Sequence, residues 1–280
     1  MPKTVLITGT SKGIGQATVL RFARAGWNVA ATMRNPADAD PAFADFPNIA
    51  VIALDITDPA SIEAALKTTR KWFGQIDAVV NNAGYGQAGY FEAVTDAQLR
   101  ANFDTNFFGT ANVMRAILPE MRARREGVVL NVSSVGATFG IPSSGAYVST
   151  KWALEGLCES AWHELTPLGV HLKVLEPAGV NTPFLTAPTY TRASVGIDDY
   201  EADYARFQQA MSADHWALEE PETIADRIFD AVTDGTDRFR YFAGPPLNWL
   251  RDAKRKLSDQ DYEQFMAERF RSPVSVHQKG

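Results

Sequence analysis

Cysteine is nearly absent from this 280-residue sequence, in which Cys158 is the single example. One cysteine excludes an intramolecular disulfide and any metal site built from several cysteines. Cys158 lies on an apolar stripe of a predicted helix, so we interpret it as a core residue rather than a reactive thiol. The four histidines share no spacing typical of metal ligands. The sequence therefore predicts no metal site.

Long hydrophobic runs and an excess of positive charge are also missing. No segment approaches the roughly 20 apolar residues that a membrane-spanning helix needs. The N-terminus leads directly into a short strand-like run, without the apolar segment of about 7–15 residues that is typical of a signal peptide. The net charge is -6 at pH 7, which disfavours nucleic acid and anionic membranes as partners. We therefore expect a soluble, cytoplasmic protein.

A glycine-rich turn at residues 8–15 follows the first apolar run, residues 3–8. Apolar residues then recur at helical spacing, so the glycines occupy a strand-to-helix turn. Gly9 permits the tight turn, Gly13 lets the backbone approach a pyrophosphate, and Gly15 allows the helix to pack closely on the strand. The N–H groups at the start of the helix then favour an anion. This pattern predicts a dinucleotide site, although parallel α/β proteins also use glycine turns structurally.

Acidic residues are absent between Gly15 and Arg34. In NAD-binding units an acidic residue about 20 positions after the glycines binds the ribose 2′-hydroxyl. Here Met33 stands near that position, Arg34 follows it, and Lys12 lies inside the glycine turn. Two cations without a carboxylate suit a 2′-phosphate, so the sequence favours NADP over NAD. The alternative is that Arg34 is only a solvated residue at the end of a strand.

Strands and helices alternate along most of the chain, which is long and apolar enough for a full core. Strands joined by helices in this way form a parallel sheet with right-handed crossovers. The alternation lapses over residues 184–216, which we predict to be a substrate lid, and a helical tail starts at about residue 247. We predict a single α/β domain over residues 1–280. The predicted strands are 3–8, 29–32, 49–54, 76–80, 128–132, 170–175 and 240–243, and the predicted helices are 59–73, 95–121, 145–166, 198–211 and 221–233.

Tyr147 and Lys151 stand four residues apart on a predicted helix, so their side chains share one face. Most isolated pairs of this kind are a tyrosine and a lysine at the edge of a helix, with their polar ends in water. Asn106 is a second anomaly, because it interrupts an apolar helical stripe. A buried amide without partners costs about 1–3 kcal/mol, so Asn106 should bind something specific.

Seven motifs together resemble the short-chain dehydrogenase/reductase family in its compact branch. They are TGTSKGIG at 8–15, Asp55, NNAG at 81–84, Asn106, Ser134, YVSTK at 147–151 and PAGVNT at 177–182. The resemblance covers residues 3–183 and, more loosely, 220–245. It implies a Rossmann-type doubly wound sheet of seven strands in the order 3-2-1-4-5-6-7, with helices on both faces. Ala178 is a departure, because the family usually has glycine there, and we expect the turn to tolerate alanine unless it needs a positive φ.

The resemblance also implies catalytic roles for four residues. Tyr147 would be the general acid/base. Lys151 would lower the pKa of the Tyr147 phenol and hold the nicotinamide ribose. Ser134 would bind the substrate oxygen, and Asn106 would hold a water that links Lys151 to solvent.

The cofactor contacts that the resemblance implies come from the same motifs. Asp55 would contact the adenine, Asn81 would support the cofactor site, and Val180 with Thr182 would meet the carboxamide. The full predicted set of cofactor-binding residues is Gly9, Ser11, Lys12, Gly13, Ile14, Gly15, Arg34, Asp55, Ile56, Asn81, Ala83, Gly84, Tyr147, Lys151, Pro177, Val180 and Thr182.

The function that follows is an NADP-dependent oxidoreductase acting on a carbonyl or secondary alcohol. Two alternatives are an NADP-binding sensor without turnover and a sugar-nucleotide epimerase or dehydratase of the extended branch. Aromatic residues in the predicted lid, together with Tyr85, Phe139 and Ile141, predict a cleft for a hydrophobic ketone or alcohol, such as one of steroid or retinoid type. Family members usually pair through their fourth and fifth helices, which implies a homodimer or homotetramer.

Overall fold

Residues 2–184, 197, 200, 218–244 and 248–270 are described by the computed structural model of the chain. Seven parallel strands form one sheet in the order β3-β2-β1-β4-β5-β6-β7. This architecture and strand order confirm the doubly wound fold expected from the sequence. The strands are β1 (Thr4–Thr8), β2 (Asn28–Met33), β3 (Ile49–Ala53), β4 (Ala78–Asn81), β5 (Gly127–Val132), β6 (Val170–Pro177) and β7 (Arg240–Ala243).

Helices join the strands and cover both faces of the sheet. The described helices are α1 (Gly13–Arg24), α2 (Pro59–Phe73), α3 (Asp96–Phe103), α4 (Thr110–Arg124), α5 (Gly145–Leu165), α6 (Pro221–Thr233), α7 (Asn248–Lys256) and α8 (Asp259–Phe270). Short 3-10 helices lie at Pro36–Asp38, Pro41–Asp45, Phe91–Ala93, Val135–Ala137 and Thr166–Leu168.

Local sequence explains where several helices begin and end. The Asp58 carboxylate accepts a hydrogen bond from the Ala60 N–H at the start of α2, and Gly74 ends that helix with φ 80°. Thr95 and Gln98 form a reciprocal capping box at the start of α3.

Two predicted helical stretches are interrupted. A π-helical segment, Asp104–Gly109, separates α3 from α4 where the sequence predicted one helix over 95–121. The predicted tail is two helices, α7 and α8, because the Ser258 hydroxyl accepts from the Asp261 N–H and caps the second helix. Periodicity alone did not reveal either break, since apolar spacing is similar on both sides.

Side chains from β1 alternate between two hydrophobic cores. Leu6 joins the core under α2, α4 and α5, whereas Val5 and Ile7 join the core under α1 and α6. Cys158 is fully buried in the first core, and burial raises the pKa of its thiol to about 12. The cysteine is therefore a packed, protonated residue.

A third cluster places the C-terminal helices over one end of the sheet. Leu250 of α7 packs against Val135 and Phe139 in the segment that follows β5. Of the predicted lid, residues 184–216, only Phe184, Ile197 and Tyr200 lie within the described residues, so the lid and its helix at 198–211 stay predictions. The described helices include none with the length and apolar character needed to cross a membrane.

Candidate functional site

A cavity of about 790 Å³ lies at the carboxyl ends of the strands. This is where open parallel sheets bind ligands, beside the point at which the strand order reverses. Its walls come from the glycine turn, the ends of β2 to β6 and the first turns of α5. Its lining residues include Gly9, Ser11, Lys12, Gly13, Ile14, Arg34, Asp55, Ile56, Ala83, Gly84, Ser134, Tyr147, Lys151, Pro177, Val180 and Thr182.

Three glycine positions disfavour a side chain, through close contacts or a positive φ. Gly9 has φ 71°, and a Cβ atom there would lie 2.7 Å from the Ala83 Cα atom. A Cβ atom on Gly15 would lie 2.3 Å from the Gly9 carbonyl oxygen. Gly13 has φ 61° and lies against Thr182 across the cavity. The turn therefore depends on glycine for both its conformation and its close contacts.

Asn82 ties the glycine turn to the end of β4. Its Nδ2 atom donates to the carbonyl oxygens of Thr8 and Gly9, at 3.0 and 2.9 Å. The Thr8 hydroxyl accepts in return from the N–H groups of Asn82 and Ala83, both at 3.0 Å. Sequence reasoning assigned no separate role to Asn82, although it belongs to the NNAG motif that contains the predicted residues Asn81, Ala83 and Gly84.

The N-terminus of α1 presents its backbone N–H groups to the cavity. Lys12, at the N-cap position, makes no side-chain capping hydrogen bond, and the first turn contains no acidic residue. Such a helix start carries a partial positive charge and unsatisfied donors. Lys12, Gly13 and Ile14 all line the cavity, so this end of the site fits a phosphate group of a dinucleotide.

Arg34 and Asp55 line the cavity beyond the end of β2. The Asp55 Oδ1 atom accepts hydrogen bonds from the Thr57 hydroxyl at 2.7 Å and the Thr57 N–H at 2.9 Å. The hydroxyl is the main cause that lowers the pKa of Asp55, and the Arg34 charge adds to it. The carboxylate therefore stabilises the turn in which it lies. Both cations of the predicted 2′-phosphate site, Lys12 and Arg34, are solvent-exposed.

Tyr147 and Lys151 meet in the cavity as the helical spacing predicts. The Lys151 Nζ atom lies 5.8 Å from the centre of the Tyr147 ring and donates to the Val132 carbonyl oxygen at 2.9 Å. Burial lowers the pKa of Lys151 to about 8. The lysine is therefore fixed by the end of β5, with two of its three N–H bonds left for other acceptors.

Ser134 follows β5 and lines the same part of the cavity as Tyr147. Its Oγ atom accepts a hydrogen bond from the Gly136 N–H at 3.1 Å at the start of a short 3-10 helix. That bond fixes the oxygen and leaves the hydroxyl proton available to a ligand. The neighbouring Ser133 hydroxyl is buried, also borders the cavity, and has no hydrogen-bond partner among the described residues.

Asn106 occupies the π-helical segment and lies behind the cavity wall. Its Oδ1 atom accepts from the Tyr85 N–H at 3.0 Å, and its Nδ2 atom donates to the Tyr85 carbonyl at 2.9 Å and the Thr150 hydroxyl at 3.2 Å. A Cβ atom on Gly84 would lie 3.0 Å from the same Oδ1 atom. The buried amide thus has hydrogen-bond partners that offset the cost of its burial. It also links the NNAG loop to α5.

Three predicted site residues do not line the cavity: Gly15, Asn81 and Asn106. Gly15 packs against Gly9 within the turn, and Asn81 donates to the Asn131 side chain at 2.8 Å below the cavity floor. The other predicted site residues all line the cavity. Consecutive residues at the end of a strand point to opposite faces, and the packing of the sheet decides which of Asn81 and Asn82 faces the glycine turn.

The substrate end of the cavity differs from expectation at Phe139. This ring is buried against Leu250 and does not line the cavity, whereas Tyr85 and Ile141 do. Ala178 also lines it, and the non-glycine residues with positive φ in the described chain are Arg125 and Ser143. The turn at Ala178 therefore accepts alanine without the strain that a positive φ would bring.

Comparison with known proteins gives concordant matches along most of the chain. Residues 3–192 match the family model described as short chain dehydrogenase. The chain is 29% identical over 249 residues to 3-ketodihydrosphingosine reductase of Bacteroides thetaiotaomicron, covering 89% of this chain and 90% of that protein. It is 33% identical over 252 residues to human 17-beta-hydroxysteroid dehydrogenase type 1, covering 85% of this chain and 76% of that protein.

Solved structures share the fold, and two of them were obtained with a nicotinamide cofactor. A short-chain dehydrogenase from Streptomyces avermitilis superposes with a TM-score of 0.82 and 29% identity, covering 95% of each chain. ElxO with NADP bound superposes with a TM-score of 0.71 and 26% identity, covering 87% of this chain and 96% of that one. The 3-ketoacyl-(acyl-carrier-protein) reductase of Brucella melitensis, complexed with NADH, superposes with a TM-score of 0.73 and 26% identity, covering 86% of this chain and 95% of that one.

The family match spans well over half of the chain, and the site contains the tyrosine, lysine and serine of the motifs quoted above. This chain therefore belongs to the short-chain dehydrogenase family and is an oxidoreductase of that family.

Proposed function

We propose that the protein is an NADP-dependent oxidoreductase that interconverts a hydrophobic carbonyl compound and its secondary alcohol. The observation that carries this proposal is the grouping of Tyr147, Lys151 and Ser134 in one cavity with the uncapped start of α1. The first three are a proton donor, a cation and a hydroxyl around a reacting oxygen. The last is a phosphate-binding element, which fits the dinucleotide part of a nicotinamide cofactor.

Proton transfer would be the task of Tyr147. An ordinary tyrosine has a pKa near 10, so at neutral pH it releases its proton reluctantly. A protonated Lys151 beside the ring would stabilise the phenolate and lower that pKa. A bound nicotinamide would supply or accept the hydride. In reduction Tyr147 would then give its proton to the substrate oxygen, and in oxidation it would remove the alcohol proton.

Substrate and cofactor positioning would fall to Ser134 and Lys151. The Ser134 oxygen already accepts from the Gly136 N–H, so its hydroxyl proton is directed to an acceptor such as the substrate oxygen. Lys151, fixed through Val132, retains N–H bonds for the ribose hydroxyls. Asn106 would hold the NNAG loop and α5 in register through its bonds to Tyr85 and Thr150, rather than contact the ligand directly.

The preference for NADP is supported by the charges around the end of β2. Lys12 and Arg34 line the cavity, and the acidic residue typical of NAD sites is absent from this strand end. The related solved proteins were obtained with NADP in one case and NADH in another, so the family alone does not decide the cofactor. The two local cations favour the phosphorylated form.

An apolar substrate is supported by the walls around Tyr147. Val135, Ile141 and Phe184 line this end, and the Phe184 ring meets the Tyr147 ring edge-on with centroids 5.6 Å apart. Two relatives are named for a ketodihydrosphingosine and a hydroxysteroid, and both names denote largely apolar molecules. We therefore propose a hydrophobic ketone or alcohol as the substrate class.

A panel of long-chain, steroidal and small polar ketones and alcohols, assayed by NADPH absorbance, tests this function. We expect turnover of apolar members with NADPH and much weaker or no turnover of small charged members. Absence of turnover across the panel, together with tight NADPH binding, would instead support the alternative of a cofactor-binding sensor.

Pairing of two copies through the π-helical segment and α5 is part of the same proposal. Phe108 is 49% exposed and Trp152 is 47% exposed, and their two segments pack against each other. Large exposed apolar side chains on two packed segments are typical of interaction sites. The implied partner is a second copy of this chain.

Phe108→Arg is expected to weaken self-association roughly 10–100-fold, because burying a phenylalanine contributes about 1.5–3 kcal/mol and arginine would place an unpaired charge in the interface. Light scattering over a dilution series measures this effect. Trp72→Arg is the matched control, since Trp72 is 62% exposed but lies on α2. A wild-type protein that is monomeric at all concentrations contradicts the proposal.

A further inference from the structure

The buried environment of Lys151 disfavours the protonated form that its proposed role requires. Lys151 is buried, and burial lowers its pKa to about 8. Its acceptor on β5, the Val132 carbonyl, carries no net charge. Without a compensating negative charge, a buried ammonium tends to lose its proton, and a neutral amine would not stabilise a phenolate.

Two groups on α5 act against this loss, and only one of them is effective. Glu155 and Cys158 both raise the pKa of Lys151 when they are negatively charged. Burial raises the pKa of Cys158 to about 12, so this thiol is neutral near physiological pH. Glu155 stands one helical turn after Lys151 and is itself buried. The useful negative charge therefore comes from Glu155.

Arg240 on β7 holds the Glu155 carboxylate in place. The guanidinium Nη2 atom lies 2.8 Å from the Glu155 Oε2 atom, and Nε lies 3.3 Å from it. A buried carboxylate is retained in its charged form only when a cation or hydrogen bonds compensate for lost water. The second Glu155 oxygen, Oε1, is inaccessible to solvent and has no hydrogen-bond partner among the described residues.

Two further carboxylates contact Arg240, and each differs from Glu155. Glu159 lies on α5 with 58% of its side chain exposed, 3.2 Å from the guanidinium. Glu176 on β6 is buried, and its Oε1 atom lies 2.8 Å from the Arg240 Nε atom. Burial and then the Glu155 charge raise the pKa of Glu176 to about 8, against the opposing charges of Arg240, Arg255 and Arg251. At neutral pH Glu176 is therefore mostly protonated, so Glu155 is the buried carboxylate whose charge Arg240 compensates.

We propose that Glu155, fixed by Arg240, is a positioning residue that keeps Lys151 protonated in its buried site. The proposal rests on the acid–base role proposed above for Tyr147 and Lys151. It assigns a catalytic consequence to an ion pair that joins α5 to β7 across 85 positions of sequence.

A titration of Lys151 in the cofactor-free protein tests the proposal without turnover. The protein is labelled with ¹³C-lysine, and the Lys151 signal is assigned by its loss in Lys151→Gln. In Glu155→Gln the protonated lysine loses a favourable charge, so it should release its proton at a pH lower by about one unit. Glu159→Gln is the matched control and should leave the titration unchanged, because that side chain is exposed. Superposable titrations of wild type and Glu155→Gln overturn the proposal.

A second readout is the pH profile of turnover with saturating substrate. When Lys151 loses its proton, the Tyr147 phenolate loses the positive charge that stabilises it. The pH at which activity falls on the alkaline side should therefore be lower in Glu155→Gln, and Glu155→Asp should restore it to the wild-type value. A merely structural ion pair would lower kcat at every pH without moving that limb, which would also overturn the proposal. If the proposed function itself fails, turnover is absent but the lysine titration still gives its answer.

The double variant Glu155→Gln/Arg240→Gln covers the case in which the single variant does not fold. It removes both members of this ion pair, so neither of the two is left buried without the other. The Lys151 titration should again move to lower pH. An unchanged titration in the folded double variant contradicts the proposal as clearly as it would in the single one.

Discussion

Tyr147→Phe is expected to lower kcat about 10²–10⁴-fold, the usual contribution of a positioned acid–base group. Phenylalanine keeps the ring that packs edge-on against Phe184 but removes the proton-carrying oxygen. The change leaves Lys151 and its bond to Val132 in place. Single-turnover and steady-state rates with NADPH measure the loss, and fluorescence titration checks that the cofactor still binds.

Tyr262→Phe is the control for this experiment. The Tyr262 hydroxyl is buried between the C-terminal helices without a hydrogen-bond partner among the described residues. Its removal should leave turnover within about twofold of wild type, since it makes no bond to lose. A Tyr147→Phe enzyme with near-normal kcat would show that another group handles the proton.

Lys12→Ala/Arg34→Ala is expected to weaken NADPH binding by at least about 100-fold while changing NADH binding less than about threefold. Hydrogen bonds to a charged group contribute about 1.5–3 kcal/mol each, and about 1.4 kcal/mol is a factor of ten. Both side chains line the cavity beside the strand end that lacks an acidic residue. Direct binding titrations with each cofactor measure the difference independently of any substrate.

Arg24→Ala provides the matched control for the cofactor variants. Arg24 is an exposed cation in the last turn of α1, at the opposite end of the helix from the cavity. Its loss should change neither affinity, whereas a general effect of net charge would weaken NADPH binding in this variant too. Equal affinities of the wild-type protein for NADPH and NADH would refute the 2′-phosphate assignment.

The local parts of the fold were predictable from the sequence because their causes are local. Apolar periodicity, with a proline at the start of each helix, places α2 and α6 at the expected bounds. The glycine turn follows from its position between a strand and a helix, and Gly9 has the positive φ such a turn requires. The spacing of Tyr147 and Lys151 is converted to a shared face by helical geometry alone.

Contacts between distant segments were not predictable in the same way. No local pattern indicates that Asn82, rather than Asn81, clamps the glycine turn, or that Phe139 turns away from the cavity to pack on Leu250. The π-helical segment around Asn106 is likewise invisible to apolar periodicity, because one extra residue in a turn hardly alters the stripe.

The sequence by itself determined the parallel α/β fold, the family motifs and the groups available for chemistry, since these depend on residue type and short-range spacing. Only the tertiary structure decided which buried charges meet. Glu155, Glu176 and Arg240 come from α5, β6 and β7, and their contacts exist because the sheet order brings these elements together. Burial then raises the pKa of Glu176, and burial is a property of the packed chain.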